Sequence, residues 1–236
     1  MLEFLSLKKT YRGGSCAVDG LSLKVEYGDI YGFIGHNGAG KTTAIRCAVG
    51  ILPFEGGDIL VDGVSILKDP VYCKSVMAYI PDNPDIYTHL TGIQYINFIA
   101  NIYEVNKSDI DARIKEYATA FEIENALGNI IETYSHGMRQ KITLIAALIH
   151  NPKLLLLDEP FVGLDPKAAH VLKGYMRKLC DNGSAIFFST HVLDVAEKLC
   201  NKIAIIKQSK LIISGDIDEV KGNLSLEDVF LELTDA

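Results

Sequence analysis

Along this chain, short apolar runs alternate with stretches whose apolar residues recur every three or four positions, a pattern that predicts strands interleaved with helices. Over residues 2–64 the β-rich runs LEFLSL, LSLKVEYGD and IYGFIG are punctuated by turns, and EGGDILVDG carries the Gly and Asp clusters of hairpin turns. One helix, over residues 42–49, interrupts them. Residues 82–134 carry helical spacing instead. Thr91 with Gln94 forms a capping-box pattern ahead of Ile93, Ile96, Ile99, Ala100 and Tyr103. Ser108 with Asp111 repeats it ahead of Ile114, Tyr117, Ala118 and Phe121. From residue 135 the runs MRQKITLIAALI, KLLLLD, AAHVLKGYMRKLC and SAIFFS alternate helix with strand. IAIIK, LIIS and a last helix with Leu226, Val229, Phe230 and Leu233 on one side complete the chain.

Continuous apolar strands separated by helices require a mainly parallel sheet covered on both faces, so the predicted fold is α/β. Its expected parts are an antiparallel β subdomain within residues 1–81, an inserted helical subdomain over 82–134, and the remaining α/β core over 135–236. At 48 % apolar and 22 % charged residues, the 236-residue chain has the composition of a globular domain and not of a disordered one. Its net charge of −7 lacks the positive excess of a protein that lives on nucleic acid. Cys16, Cys47, Cys73, Cys180 and Cys200 lie too far apart for a zinc knuckle or redox pair, and fit free thiols in a reducing cytosol. The start lacks the order of a signal peptide and no stretch is apolar for long enough to span a bilayer, so any membrane is expected to be crossed by another chain.

Residues 35–43 read GHNGAGKTT, which fits G-x-x-x-x-G-K-[ST] between an apolar strand and a helix, the context of a phosphate-binding loop. Gly35, Gly38 and Gly40 let successive N–H groups converge on phosphate oxygens at the positive end of a helix, and His36, Asn37, Ala39 and Thr43 complete the loop. Lys41 at a helix start is unfavourable unless an anion faces it, and a phosphate is that anion. The Thr42 hydroxyl is then placed for Mg²⁺. The run LLLLDE ends an apolar strand in two acids, which belong at the strand exit because an unpaired buried carboxylate costs several kcal/mol. Asp158 suits Mg²⁺ through a water, and Glu159 suits the attacking water as general base. Ser135, Tyr11, Asp82, Asp165 and His191 read singly as a helix cap, a surface tyrosine, a turn carboxylate, a second cap and a solvated histidine.

Their order along the chain resembles that of the nucleotide-binding subunit of an ATP-binding cassette (ABC) transporter. The resemblance extends over essentially the whole chain, which then forms a single ABC ATPase domain with a P-loop NTPase core. It implies that Tyr11 in KTYRG stacks on adenine, that GHNGAGKTT is the Walker A motif and that LLLLDEP is Walker B with catalytic Glu159. FVGLDP corresponds to the D-loop around Asp165, and His191 in STH to the switch histidine. YSHGM stands where the signature LSGGQ is expected: Ser135 and Gly137 are kept, while His136 replaces a glycine and Met138 a glutamine. Asp82 in YIPDNP occupies a position where the family carries Gln or Glu, and its shorter side chain reaches less far toward Mg²⁺ or water.

The resemblance also implies ATP and Mg²⁺ as cofactors and a head-to-tail pair of cassettes, formed with a second copy or a similar chain. Each ATP then lies between one chain's phosphate loop and the other's Ser135 helix. Integral membrane permease subunits would dock near Asp82 and the following helices and hold the chain on the inner face of the cell membrane. The form S-x-G-M-x-Q points to the single-cassette exporters. Two other readings remain: a soluble ABC-type ATPase acting on nucleic acid or ribosomes, and a regulatory module that binds ATP without hydrolysing it.

Overall fold

In a computed structural model, which describes residues 1–84 and 86–235, the apolar runs form two sheets. The first contains β1 (Leu2–Thr10) and β2 (Cys16–Val25), paired antiparallel. After β3 (Ile30–Ile34) and α1 (Lys41–Ala48), the chain returns to it with β4 (Gly56–Val61) and β5 (Val64–Ser65), giving the order β2-β1-β4-β5. The tight β4–β5 turn is made by Asp62 (φ 53°) and Gly63 (φ 77°), both in the left-handed region that a two-residue hairpin demands. The carboxylate of Asp62 accepts hydrogen bonds from Tyr27, from the Tyr72 hydroxyl at 2.7 Å and from Lys153 Nζ at 3.1 Å.

A one-and-a-half-turn helix, α2 (Pro70–Ser75), follows, capped by Asp69 with proline at its start. The sequence pattern did not anticipate it, because six residues are too few to show a period. Then come β6 (Met77–Ile80), α3 (Gly92–Ile102), α4 (Lys107–Ala120) and two 3₁₀ turns at Glu124–Ala126 and Ile131–Thr133. The expected capping box is present: the Thr91 side chain accepts from Gln94 N–H and Gln94 returns the bond to Thr91 N–H. The second expected box is absent. Helix α4 begins one residue before Ser108, whose hydroxyl turns to Asp109 while Asn106 occupies the cap position without a side-chain bond. A Ser at the second helical position cannot cap, because the N–H groups two and three residues ahead of it already bond to carbonyls of the first turn.

The chain then alternates α5 (His136–Leu148), β7 (Leu154–Asp158), α6 (Pro166–Asp181), β8 (Ala185–Thr190), α7 (Leu193–Leu199), β9 (Lys202–Lys207), β10 (Lys210–Asp216), α8 (Ile217–Lys221) and α9 (Leu226–Asp235). The second sheet runs β10-β9-β3-β8-β7-β6, parallel except for β10 at the edge. Its central strands are buried along their whole length, as strands covered on both faces must be. Alternate side chains serve two cores. Leu155, Leu157, Ile186 and Phe188 belong to the core shared with the helices, while Leu154, Leu156 and Phe187 belong to the core shared with the first sheet, where Phe187 packs among Phe4 of β1 and Tyr31 and Phe33 of β3. Among the described residues no helix is long and apolar enough to cross a membrane.

Candidate functional site

Neighbouring parallel strands end together, and this register builds the site. Ile34 pairs with Thr190, and Ser189 pairs with Asp158, so the loops leaving β3, β8 and β7 emerge side by side at the carboxyl edge of the sheet. Strand β6 ends beside β7, and Asp82 follows two residues later. Four distant sequence segments therefore meet at the edge where open α/β sheets bind ligands.

The phosphate loop is shaped by two close approaches. A Cβ on Gly35 would lie 2.5 Å from the Ile206 carbonyl oxygen; one on Gly40 would lie 2.1 Å from that of Ala17, at a φ of 110°. No other residue fits either place. Lys41 is buried at the start of α1, and its ammonium donates to the carbonyl oxygens of Gly35 (2.6 Å) and His36 (3.2 Å). Burial lowers its pKa, an effect that the nearby Glu159 and Asp158 oppose.

Asp158 is fully buried at the end of β7. Its Oδ1 accepts from Ser189 Oγ at 2.5 Å, and its Oδ2 has no hydrogen-bond partner among the described residues. Burial raises its pKa, against the Ser189 and Thr42 hydroxyls beside it. Glu159, next in the chain, has φ 49°, an uncommon backbone for a non-glycine residue and one that turns its side chain over the loop. Its Oε1 lies 3.0 Å from His191 Nδ1 and 3.7 Å from Lys41 Nζ.

These groups border a cleft of about 500 Å³, whose lining includes Tyr11, Asn37, Gly38, Lys41, Thr42, Thr43, Asp82 and Glu159. Tyr11 is half exposed at the rim, with its hydroxyl 3.1 Å from Thr43 Oγ1. Asp82 is exposed on the wall, 3.9 Å from Arg46 Nη2. The rest of the phosphate loop stands behind the cleft: Ala39 is buried, and the His36 ring meets Phe230 of α9 edge-on, with centroids 4.9 Å apart. Ser135 and Gly137 do not line it. Ser135 caps α5 by accepting from Met138 N–H at 3.3 Å, and Gly137 adjoins the Gly163 carbonyl. Sequence reasoning missed Ser189, which holds Asp158; the two hydroxyl residues that end the apolar run AIFFST were the available signal. Cys16 and Ala17, at the start of β2, also wall the cleft without any motif to announce them.

Residues 18–162 match the ABC transporter family. At 37 % identity over 225 residues, covering 94 % of this chain and 70 % of its relative, the chain is similar to YhcH of Bacillus subtilis (strain 168), an uncharacterized ABC transporter ATP-binding protein. At 32 % over 235 residues, covering 100 % of this chain and 71 % of its relative, it is similar to the daunorubicin/doxorubicin resistance ATP-binding protein DrrA of Streptomyces peucetius. A solved structure of the ATP binding subunit of an ABC transporter superposes with a TM-score of 0.95 at 29 % identity, covering 99 % of both chains. The alternative of a nucleic-acid or ribosome ATPase gains no support from these likenesses. A phosphate loop, an acidic strand exit and a histidine gathered at one sheet edge thus agree with the comparisons: the chain belongs to the ABC transporter family, as an ATP-binding subunit.

Proposed function

We propose that this chain is the ATP-hydrolysing motor of an exporter, closing on ATP with a second copy or similar cassette and reopening after hydrolysis to drive separate membrane subunits. The observation that carries the reading is the Glu159 carboxylate, 3.0 Å from His191 Nδ1 and 3.7 Å from Lys41 Nζ at the mouth of the phosphate loop. Glu159 takes a proton from the attacking water, and His191 holds the γ-phosphate and water in place. Lys41 and the N–H groups of residues 35–43 bind phosphate oxygens. The exposed ring of Tyr11 at the rim offers adenine a face.

Mg²⁺ fits the donors present. The unpartnered Asp158 Oδ2 and the adjacent Thr42 hydroxyl supply oxygen ligands directly or through water, with Asp82 on the same cleft. When bound, the ion neutralises charge developing on the phosphate oxygens. Ser135 and Gly137 lie outside this chain's cleft at the positive start of α5, so their N–H groups are free to meet the γ-phosphate of ATP held by a partner cassette. ATP then acts as glue between the two chains until it is cleaved.

Permease subunits docking near Asp82 and α3 would hold the chain on the inner face of the membrane. The SHGMRQ signature supports export, as does the likeness to a resistance protein. The test measures phosphate release by the purified chain, alone and reconstituted in liposomes with the membrane subunits. Release that rises with ATP and accompanies substrate movement is expected; ATP binding without release in either setting would leave a nucleotide-binding module.

A further inference from the structure

The turn that opens α5 and the loop that leaves Glu159 are joined at several points within one chain. Gly163 has φ +80°, and the place a side chain would take there is occupied by the His136 ring, whose Cδ2 would be 2.6 Å from such a Cβ. A Cβ on Gly137 would lie 3.2 Å from the Gly163 carbonyl oxygen. Farther along α5, Lys141 Nζ lies 2.8 Å from Asp165 Oδ2, and the Lys141 side chain is only 15 % exposed. The other carboxylate oxygen of Asp165 accepts from Ala168 N–H at 2.8 Å and caps α6. The segment 159–165 is therefore anchored by the strained Glu159 at one end and by Asp165 at the other, with the α5 turn pressed on its middle.

We infer that Lys141, through Asp165, is a positioning residue for Glu159, and that the His136–Gly163 contact completes a latch between the signature turn and the catalytic loop of the same chain. The physical reason is the geometry of the pair. A mostly buried ammonium paired with Asp165 holds that carboxylate in a single arrangement, and a loop of seven residues fixed at both ends has little freedom to move its first residue. His136, one of the two residues that depart from the family's signature, is then the one that fills the space beside Gly163. Because the proposed partner ATP sits on this signature turn, its arrival would be felt at Glu159 without any contact between them. The inference rests on the proposed function for that last step, whereas the latch itself does not.

The test uses the full-length chain and the variants Lys141→Gln, Lys141→Arg, Asp165→Asn and the Lys141→Gln/Asp165→Asn pair. Asparagine retains the cap and loses the charge. Lys141→Gln is expected to lower kcat about tenfold while affinity for a fluorescent ATP analogue stays within about twofold, since neither residue lines the cleft. Asp165→Asn should give a similar loss, the double variant no further loss, and Lys141→Arg should restore activity. Amide exchange across residues 161–165 should quicken in Lys141→Gln whether or not the native chain turns over. Unchanged exchange there, or an undiminished effect of Lys141→Gln in the Asp165→Asn background, overturns the latch. A native chain with no more turnover than its Glu159→Gln variant defeats the functional reading instead, and the exchange measurement still decides the latch.

Discussion

At the scale of single residues, the site is a set of groups held against their own preferences. Lys41 is an ammonium at the positive end of a helix, buried, donating to two carbonyl oxygens of its own loop with the Glu159 carboxylate 3.7 Å away. A phosphate relieves that arrangement, so Lys41→Ala should abolish tight ATP binding; an unchanged titration with a fluorescent analogue would remove the loop from the account. Glu159 is held by a left-handed backbone over the same loop. Glu159→Gln keeps its size and hydrogen-bonding atoms but not its basicity. Nucleotide binding should persist while phosphate release falls about 10²- to 10⁴-fold, as expected for loss of a general base. Turnover close to that of the native chain would exclude it from the chemistry.

At the scale of elements, caps and turns decide where each segment begins. Both members of the Thr91–Gln94 box reach each other's backbone, and Thr91→Ala should therefore destabilise the chain by about 1 kcal/mol, read as a lower urea midpoint. The Asp62 turn adds a pH dependence. Hydrogen bonds from Tyr27 and Tyr72, then Lys153, hold its carboxyl down at about 2, against an ordinary value of 3.8. A depressed carboxyl contributes stability that is fully present above the unfolded value and is lost as pH falls through the folded one. The stability gap between the native chain and Asp62→Asn should accordingly be constant above pH ~5 and shrink between pH ~4 and ~2. A gap that does not change over that interval would mean the tyrosines do not bind the ionised form.

At the scale of the whole molecule, one parallel sheet does two jobs. Its faces separate two cores, with successive residues of β7 and β8 pointing to opposite sides, and its carboxyl edge aligns Gly35, His191, Glu159 and Asp82. Phe187, packed among three aromatic rings, ties the central strand to the first sheet. Phe187→Ala should cost about 3–5 kcal/mol of stability. Because β8 carries Ser189 and leads into His191, the same variant should loosen the site; a calorimetric melt with and without ATP analogue tests both. Stabilisation by the analogue equal to that of the native chain would show the site to be independent of this packing.

The amino-acid order by itself determined the strands other than β6, the longer helices and the phosphate loop. These depend on local causes: apolar period, cap residues, and glycine where backbone must approach backbone. Ser135 and Asp165 were legible as caps for that reason. Helix α2 and the start of α4 were not, since a short helix has no period and a Ser two residues past the cap position cannot cap. Strand order, the register that sets Asp158 beside Ser189, and the approach of Lys141 to Asp165 were decided only by the tertiary structure. Each joins residues far apart in the chain, and the free energy that selects them comes from burying both faces of one sheet at once, which no local stretch of sequence encodes.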